Sequence, residues 1–437
     1  MILRNIGIFL QTGDKNTNIE MERRGTFMIS EETKKFPLWT SINRVPAVYP
    51  WMYQDESCEV CVVGGGITGA LCALQFAKAG MDTVLLAGGP IGYGGTCQSA
   101  GIVQADPEIG MRGLSRQIGV DQAVEVYRQC SQAMQELESI ACGGPYDCGF
   151  TRRNSLYFAD MEERTEDIHE EYLLKKHNGF SVELIHPDQA RDQYSFDMEE
   201  GLLCYENAAT VDPYLLTHNV IIAAEKAGAR IYENTTVEDI SQEDGKRSLL
   251  TSVSHTVKAD TVVLAIGLDS CDFLKGVGSK RTCFSVATEQ TETLSGWEDG
   301  CIIHHVGRPE ITYSLTAQGR MIASGLDTGL IDRNRRMAGL FPLELLAEKK
   351  FAHLQEEIVG MFPGIRETQV EYAYTSDYLQ TEDGLPVIGT QEQYPGCYFA
   401  LCPSQNGILF SQVAANLLVQ MHRGEEPEIA RVYRPER

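Results

Sequence analysis

The 437-residue sequence contains no apolar run approaching the ~20 residues that a membrane-crossing helix requires, which excludes an integral helical membrane protein. Basic residues are in deficit. With 37 Lys and Arg against 61 Asp and Glu, the formal net charge of -24 would repel nucleic acid and anionic lipid, and neither is expected as a partner. Residues 1–27 carry a short apolar patch, Ile6 to Leu10, but lack the longer hydrophobic region and small-residue cleavage site of an export signal. They read as a disordered extension, and Met28 is an alternative start. The 13 cysteines are scattered in a chain without an export signal, so free thiols and a cytoplasmic location are expected. Cys58 and Cys61 form a CxxC, yet Cys61 falls within a predicted strand and no second pair stands at zinc spacing, so no metal is expected. Internal repeats and low-complexity tracts are also lacking.

What is present is the composition of a globular protein, 43% hydrophobic with a mean hydropathy of -0.20, long enough for two lobes with substantial cores. The segment Glu59 to Ala87 predicts a strand, a glycine turn, a helix over Ile67 to Ala79 and a second strand over Asp82 to Leu86. Gly64, Gly66 and Gly69 stand at the GxGxxG positions of a dinucleotide-binding turn. The first allows the tight turn, the second lets backbone approach a pyrophosphate, and the third lets helix and sheet pack closely. Free amides at the helix start would then hold the anion. One element departs from this pattern. The second strand ends in Ala87-Gly88-Gly89 where an acidic residue normally accepts hydrogen bonds from the adenosine ribose.

Beyond this unit, Gly89 to Val103 is a glycine-rich loop of a kind that serves ligands, and Asp121 to Ile140 predict a long amphipathic helix. Arg152 to Ala159 read as a strand, Asp212 and Pro213 as the N-cap and first residue of a helix ended by Gly228, and Ala229 to Tyr232 as the next strand. Thr261 to Ile266 form a buried strand ending at Gly267. The chain turns β-rich from Arg281, is interrupted by a helix over Leu343 to Met361, and closes with a strand over Tyr398 to Leu401 and a helix from Ile408 to Met421.

Three separated motifs, GGGITG, VVLAIG and DGLPVIG followed by NGI and a helix, together resemble the D-amino-acid oxidase-like family of FAD-dependent oxidoreductases. That family includes glycine, sarcosine and γ-glutamylputrescine oxidases. The resemblance covers roughly Pro37 to Arg437 and implies an α/β fold of the glutathione-reductase FAD/NAD(P)-binding type. A Rossmann-like FAD-binding domain would carry an α+β second lobe with a substrate-binding β-sheet. The implied organisation is an extension over 1–30, FAD-binding segments over 31–110, 206–280 and 366–437, a helical and substrate-domain insertion over 111–205, and a substrate-binding sheet over 281–365.

Carried over by position, Gly64, Gly66, Ile67, Thr68 and Gly69 would meet the pyrophosphate, and Gly95 and Thr96 the flavin-side phosphate or ribitol. Val237 would offer backbone to adenine, Gly267 would lie beside the cofactor, and Gly384, Leu385, Gly407 and Ile408 would border the flavin. Candidate pocket residues are His304, His305, Arg308, Tyr313 and Gln405. Ser314 occupies a position where related bacterial sequences are expected to carry an arginine, and Arg308 is a substitute for holding a carboxylate or else a surface ion-pair residue. Ser376 and Gln98 stand near positions that link flavin covalently in some relatives and cannot form that bond, so FAD is expected to be non-covalent. The implied reaction is oxidation of the CH–NH bond of a small amine or amino acid, with the electron acceptor open. Two other readings fit the fingerprint: a nicotinamide-dependent dehydrogenase, and a flavin-binding or flavin-less protein without turnover.

The missing ribose acid has a measurable consequence. A charge-assisted hydrogen bond contributes about 1.5–3 kcal/mol, so Ala87→Glu is expected to tighten FAD binding by ~10–100-fold. Fluorescence titration of the apoprotein measures this, and an unchanged or weaker affinity contradicts it.

Overall fold

A computed structural model describes residue 30 and residues 32–437, apart from 162–164, 244, 292–293, 295, 298–299, 307–309, 331–342, 366–367 and 403–405. The strands in chain order are β1 Glu56–Val63, β2 Thr83–Leu86, β3 Ile102–Gln104, β4 Thr151–Ala159, β5 Val182–Ile185, β6 Glu200–Thr210, β7 Arg230–Tyr232, β8 Val237–Glu243 and β9 Lys246–Thr251. They continue with β10 Thr256–Leu264, β11 Ser279–Gln290, β12 Ile302–His305, β13 Ile311–Leu315, β14 Arg320–Gly329, β15 Val370–Gln380, β16 Val387–Thr390 and β17 Cys397–Leu401. The helices are α1 Leu38–Ile42, α2 Ile67–Lys78, α3 Gly110–Ile118, α4 Val120–Gly143, α5 Thr165–His177, α6 Pro187–Gln193, α7 Pro213–Lys226, α8 Leu343–Met361 and α9 Gly407–His422.

Among the described residues these strands make two sheets. The first has 8 strands, in the order β16-β17-β10-β1-β2-β7 with the β8–β9 hairpin attached at β10. Its centre is parallel: β1 pairs with β10 on one side and β2 on the other. The runs Val60 to Val63, Val84 to Leu86 and Val262 to Leu264 are buried, as strands covered on both faces require. Helices α2, α4, α7 and α9 pack over one face, around Leu71, Leu74, Phe76, Leu216 and Leu418.

The second sheet has 9 strands, ordered β15-β11-β14-β13-β12-β4-β6-β3 with β5 paired to β6. One of its faces is apolar and packs under α8, through Phe284, Val286, Ile303, Ile311, Tyr313, Phe351 and Leu354. Strand alternation puts the intervening residues on the opposite face, toward the first sheet. Strands β3 and β15 lie in chain segments expected for the cofactor domain, yet they pair within this second sheet.

An N-terminal arm staples the lobes together. Lys34 forms a bridge to Tyr372 of β15, the Trp39 indole donates to Ser99 O at 2.8 Å, and Tyr49 N donates to Glu233 Oε2 at 3.0 Å beside the first sheet.

The start of α7 follows its sequence signals. Asp212 Oδ1 accepts from Tyr214 N at 2.9 Å and Leu215 N at 3.0 Å, and Pro213 is the first helical residue. Burial pushes the Asp212 carboxyl up to about 6 from 3.8, against the lowering effect of these amides and of Asn43. The folded state therefore favours the protonated form. The stabilisation is complete below 3.8 and is lost as pH rises through about 6, by about 3 kcal/mol at 1.36 kcal/mol per unit. Asp212→Asn keeps a capping acceptor and removes this titration. Its urea stability relative to wild type is expected to improve by a few kcal/mol across that window, and parallel pH profiles contradict the assignment.

Candidate active site

The glycine turn after β1 is shaped by backbone contact. Gly64 has a φ of +127°, and a Cβ there would sit 2.2 Å from Ala265 O. A Cβ at Gly69 would sit 1.9 Å from Gly64 O, so α2 presses directly on the turn that precedes it. The Thr96 hydroxyl oxygen accepts the first helical amide, from Ile67 N at 3.0 Å. Thr68 and Ser411 join their hydroxyls at 2.7 Å, tying the first turn of α2 to α9 one turn from its start. Two helix N-termini, each carrying a partial positive charge, thus converge on one cleft.

That cleft is a cavity of about 1250 Å³, larger than the usual 300–1,000 Å³ of a small-ligand pocket. Its lining includes Asp239, Gln242 and Arg247, Gly64 to Thr68, Gln98, Ser99, Gly407 and the β15 residues Ser376 to Leu379. A Cβ at Gly94, Gly95 or Gly267 would meet nothing within 4 Å, so these cavity-lining backbones are open to a ligand. A cavity of this volume with two anion-favouring helix ends and exposed glycine backbone fits a dinucleotide such as FAD.

Of the cofactor positions expected from the sequence, Gly64, Gly66, Ile67, Thr68, Gly95, Thr96, Val237, Gly267, Gly407 and Ile408 line this cavity. Gly69 lies behind it, in the helix–turn contact. Gly384 and Leu385 require correction, because neither is in the cavity lining. Gly384 faces Glu108 and Ile109, while Leu385 is fully buried in a turn held by Thr381 Oγ1, which donates to Leu385 O at 2.9 Å. Ala87 lines the cavity next to Thr235 and Thr236, and Gln98 and Ser376 line it as well. Asp377, Tyr378 and Leu379 were not anticipated, because β15 carries no motif and reaches the cavity only through its pairing with β11.

The face of the second sheet that looks toward the first is polar. Register places Tyr374, Ser285, Ser324, Thr312, His304 and Tyr157 side by side across six strands. Ser285 and Ser324 share a hydrogen bond of 2.8 Å. His304 Nε2 lies 2.8 Å from Gln104 Oε1 and Nδ1 lies 3.2 Å from Thr312 Oγ1. Since Gln104 Oε1 only accepts, His304 carries its proton on Nε2 and accepts from Thr312. Burial pushes its pKa down to about 4, so the ring is neutral. Ser314 belongs to this same face, two residues along β13 from Thr312.

Two expected pocket residues do not. Tyr313 and His305 alternate onto the other face: Tyr313 is fully buried with its ring edge-on to Phe362, and His305 stacks on Phe158 with Nε2 3.2 Å from Asp160. Strand alternation is the physical reason, since each is one residue out of step with the polar row. Arg308 and Gln405 lie outside the described residues. No group of three or more His, Cys, Asp or Glu side chains suited to a metal occurs among the described residues. The 13 cysteines are free thiols.

The family model described as FAD dependent oxidoreductase matches residues 59–421. Glycine oxidase of Bacillus licheniformis is 24% identical over 373 residues, covering 84% of this chain and 93% of that protein. Gamma-glutamylputrescine oxidoreductase of Escherichia coli is 22% identical over 395 residues, covering 87% of each. Among solved structures, glycine oxidase from Geobacillus kaustophilus superposes with a TM-score of 0.71 at 21% identity, covering 85% of this chain and 96% of that one.

The glycines separate into two predictions. Gly69→Ala forces a methyl into Gly64 O and is expected to lower stability by at least about 1–3 kcal/mol in the apoprotein itself. Gly95→Ala enters open cavity, so the apoprotein should melt as wild type while FAD binds at least tenfold more weakly. Thermal unfolding with and without FAD distinguishes them, and similar behaviour of the two variants contradicts the placement.

Proposed function

The chain belongs to the FAD-dependent oxidoreductase family, and from that premise we propose that it oxidises the CH–NH bond of a small amine or amino acid. The observation that carries this reading is the continuity of one cavity from the glycine cradle to Ser376–Leu379, at the edge of the sheet whose inward face bears hydroxyls and a neutral imidazole. Names of the relatives, glycine oxidase and gamma-glutamylputrescine oxidoreductase, support the substrate class.

Bound FAD supplies a two-electron acceptor for the hydride. The substrate carbon loses hydrogen with its bonding pair, the neutral amine nitrogen forms the C=N bond with its lone pair, and the amine proton leaves to solvent. Water then converts the imine to a carbonyl compound and the released amine or ammonia. The protein's part is to bind and orient, because positioning supplies much of the barrier reduction when a cofactor carries the chemistry. Gly64 to Thr68 would hold the pyrophosphate, and the start of α9 at Gly407 and Ile408 would favour negative charge arriving in the cleft. The polar row orients the substrate with neutral donors and acceptors. With Ser314 in that face, the described part offers hydroxyls at a position expected to hold an arginine. FAD is held without a covalent bond, since Ser376 and Gln98 form none.

The test is an anaerobic panel of glycine, sarcosine, D- and L-amino acids, and mono- and diamines added to FAD-loaded protein. One substrate class is expected to bleach the oxidised flavin absorption and yield carbonyl product in equal amount. Protein that dithionite reduces but no amine or amino acid does would overturn the reading and leave the cofactor assignment standing.

A further inference from the structure

Behind the polar row lies a charged pair that the reaction does not use. Lys175 of α5 and Asp106, just beyond β3, lie 3.0 Å apart with side chains 3% and 5% exposed. Asp106 is fully engaged. Its Oδ2 accepts from the Tyr157 hydroxyl at 3.0 Å and from Asn207 Nδ2 at 2.8 Å, while Oδ1 faces the ammonium. Gln104 Nε2 donates to the Tyr157 hydroxyl and Gln104 Oε1 accepts from His304, which joins the pair to the polar row. Lys175 also lies 3.4 Å from Glu171 and over the rings of Tyr157 and Tyr127. Glu171 in turn accepts from Met111 N and Arg112 N at 2.7 Å each, so both of its oxygens are occupied.

The decisive contact leaves from the backbone. Asn406 Nδ2 donates to the carbonyl oxygen of Asp106, and Asn406 is the residue from which α9 starts. Its neighbours Gly407 and Ile408 line the cavity. The charged pair is therefore one hydrogen bond and one peptide unit from the cofactor cleft. Stability alone does not account for it, because well-packed apolar residues generally serve a buried site as well as an ion pair does. What apolar residues could not do is hold the Asp106 side chain from three sides, by Tyr157, Asn207 and Lys175, and so fix the backbone carbonyl that accepts from Asn406.

We propose that the buried Lys175–Asp106 pair is a positioning device for the cofactor-facing end of α9. It holds Asn406, and through it the amides of Gly407 and Ile408, where they ease electron uptake by the flavin, and it keeps the Asp106 carboxylate from opposing that uptake. In a low-dielectric interior an unpaired charge acts over several ångströms, so removing one partner has a sign that can be predicted. Lys175→Met leaves the Asp106 and Glu171 carboxylates without their ammonium and disfavours the reduced, negatively charged flavin. Asp106→Asn leaves Lys175 with Glu171 as its remaining carboxylate, one negative charge fewer beside the cleft, and favours the reduced flavin. The double variant restores the wild-type net charge. Asn406→Ala cuts the tether without changing charge and disfavours reduction.

The proposal rests on the FAD assignment and not on the amine substrate, because dye-coupled reductive titration needs no substrate. The readout is the midpoint potential of the FAD-loaded variants. A tenfold change in the ratio of reduced to oxidised flavin, about 30 mV for a two-electron couple, is expected downward for Lys175→Met and Asn406→Ala and upward for Asp106→Asn. The double variant is expected to lie between the two single charge variants. Wild-type potentials in all loaded variants would overturn the proposal. If Lys175→Met fails to fold, Asp106→Asn and Asn406→Ala carry the test, and unchanged potentials in both would overturn it.

Discussion

The hydrogen bond between Thr68 and Ser411 is the contact on which the site depends. It adds only about 0.5–1.5 kcal/mol to stability, yet it fixes two helix N-termini, 343 residues apart in sequence, at the same cleft. Beneath it the contact of Gly69 with Gly64 O sets how closely α2 can approach the sheet. Together these contacts make an anion-favouring wall out of backbone amides, needing no basic side chain in a chain with a net charge of -24.

The second sheet supplies the other wall through its division into two faces. Ile311, Tyr313 and Phe284 face α8 and form an apolar core, which leaves Thr312, Ser314 and Ser285 facing the cofactor lobe. Buried hydroxyls are costly unless paired, and here they pair with each other and with a histidine held neutral by burial. The Lys175–Asp106 pair lies beneath this row and connects it to the start of α9. The two lobes are thus joined chemically as well as by the N-terminal arm.

Much of this was legible in residue order. The GxGxxG turn, the helix begun by Asp212 and Pro213, the strand Ile311–Leu315 and the helix Leu343–Met361 all follow from local signals, since caps, glycines and periodicity act over a few residues. Most of the positions that the family resemblance assigns to the cofactor line one cavity. The resemblance failed at Gly384 and Leu385, where a glycine turn resembling a cofactor contact is locked by Thr381 and by Asp383, whose Oδ1 accepts from Leu385 N at 3.0 Å. It also failed at Tyr313 and His305, because a period of two cannot say which of its two faces meets the ligand until the partner lobe is in place.

By itself, then, the sequence determined the nucleotide cradle, because it rests on backbone conformations that glycine and capping residues encode locally, while the resemblance carried by three separated motifs pointed to the fold and to FAD. Tertiary structure decided how distant side chains meet around the cleft. Ser376 to Leu379 arrive there through pairing of β15 with β11, and Asp106, Lys175 and Asn406 meet only when β3, α5 and α9 pack. The physical reason is separation: these contacts join residues that no local interaction relates, and only burial of both lobes against each other brings them within hydrogen-bonding distance.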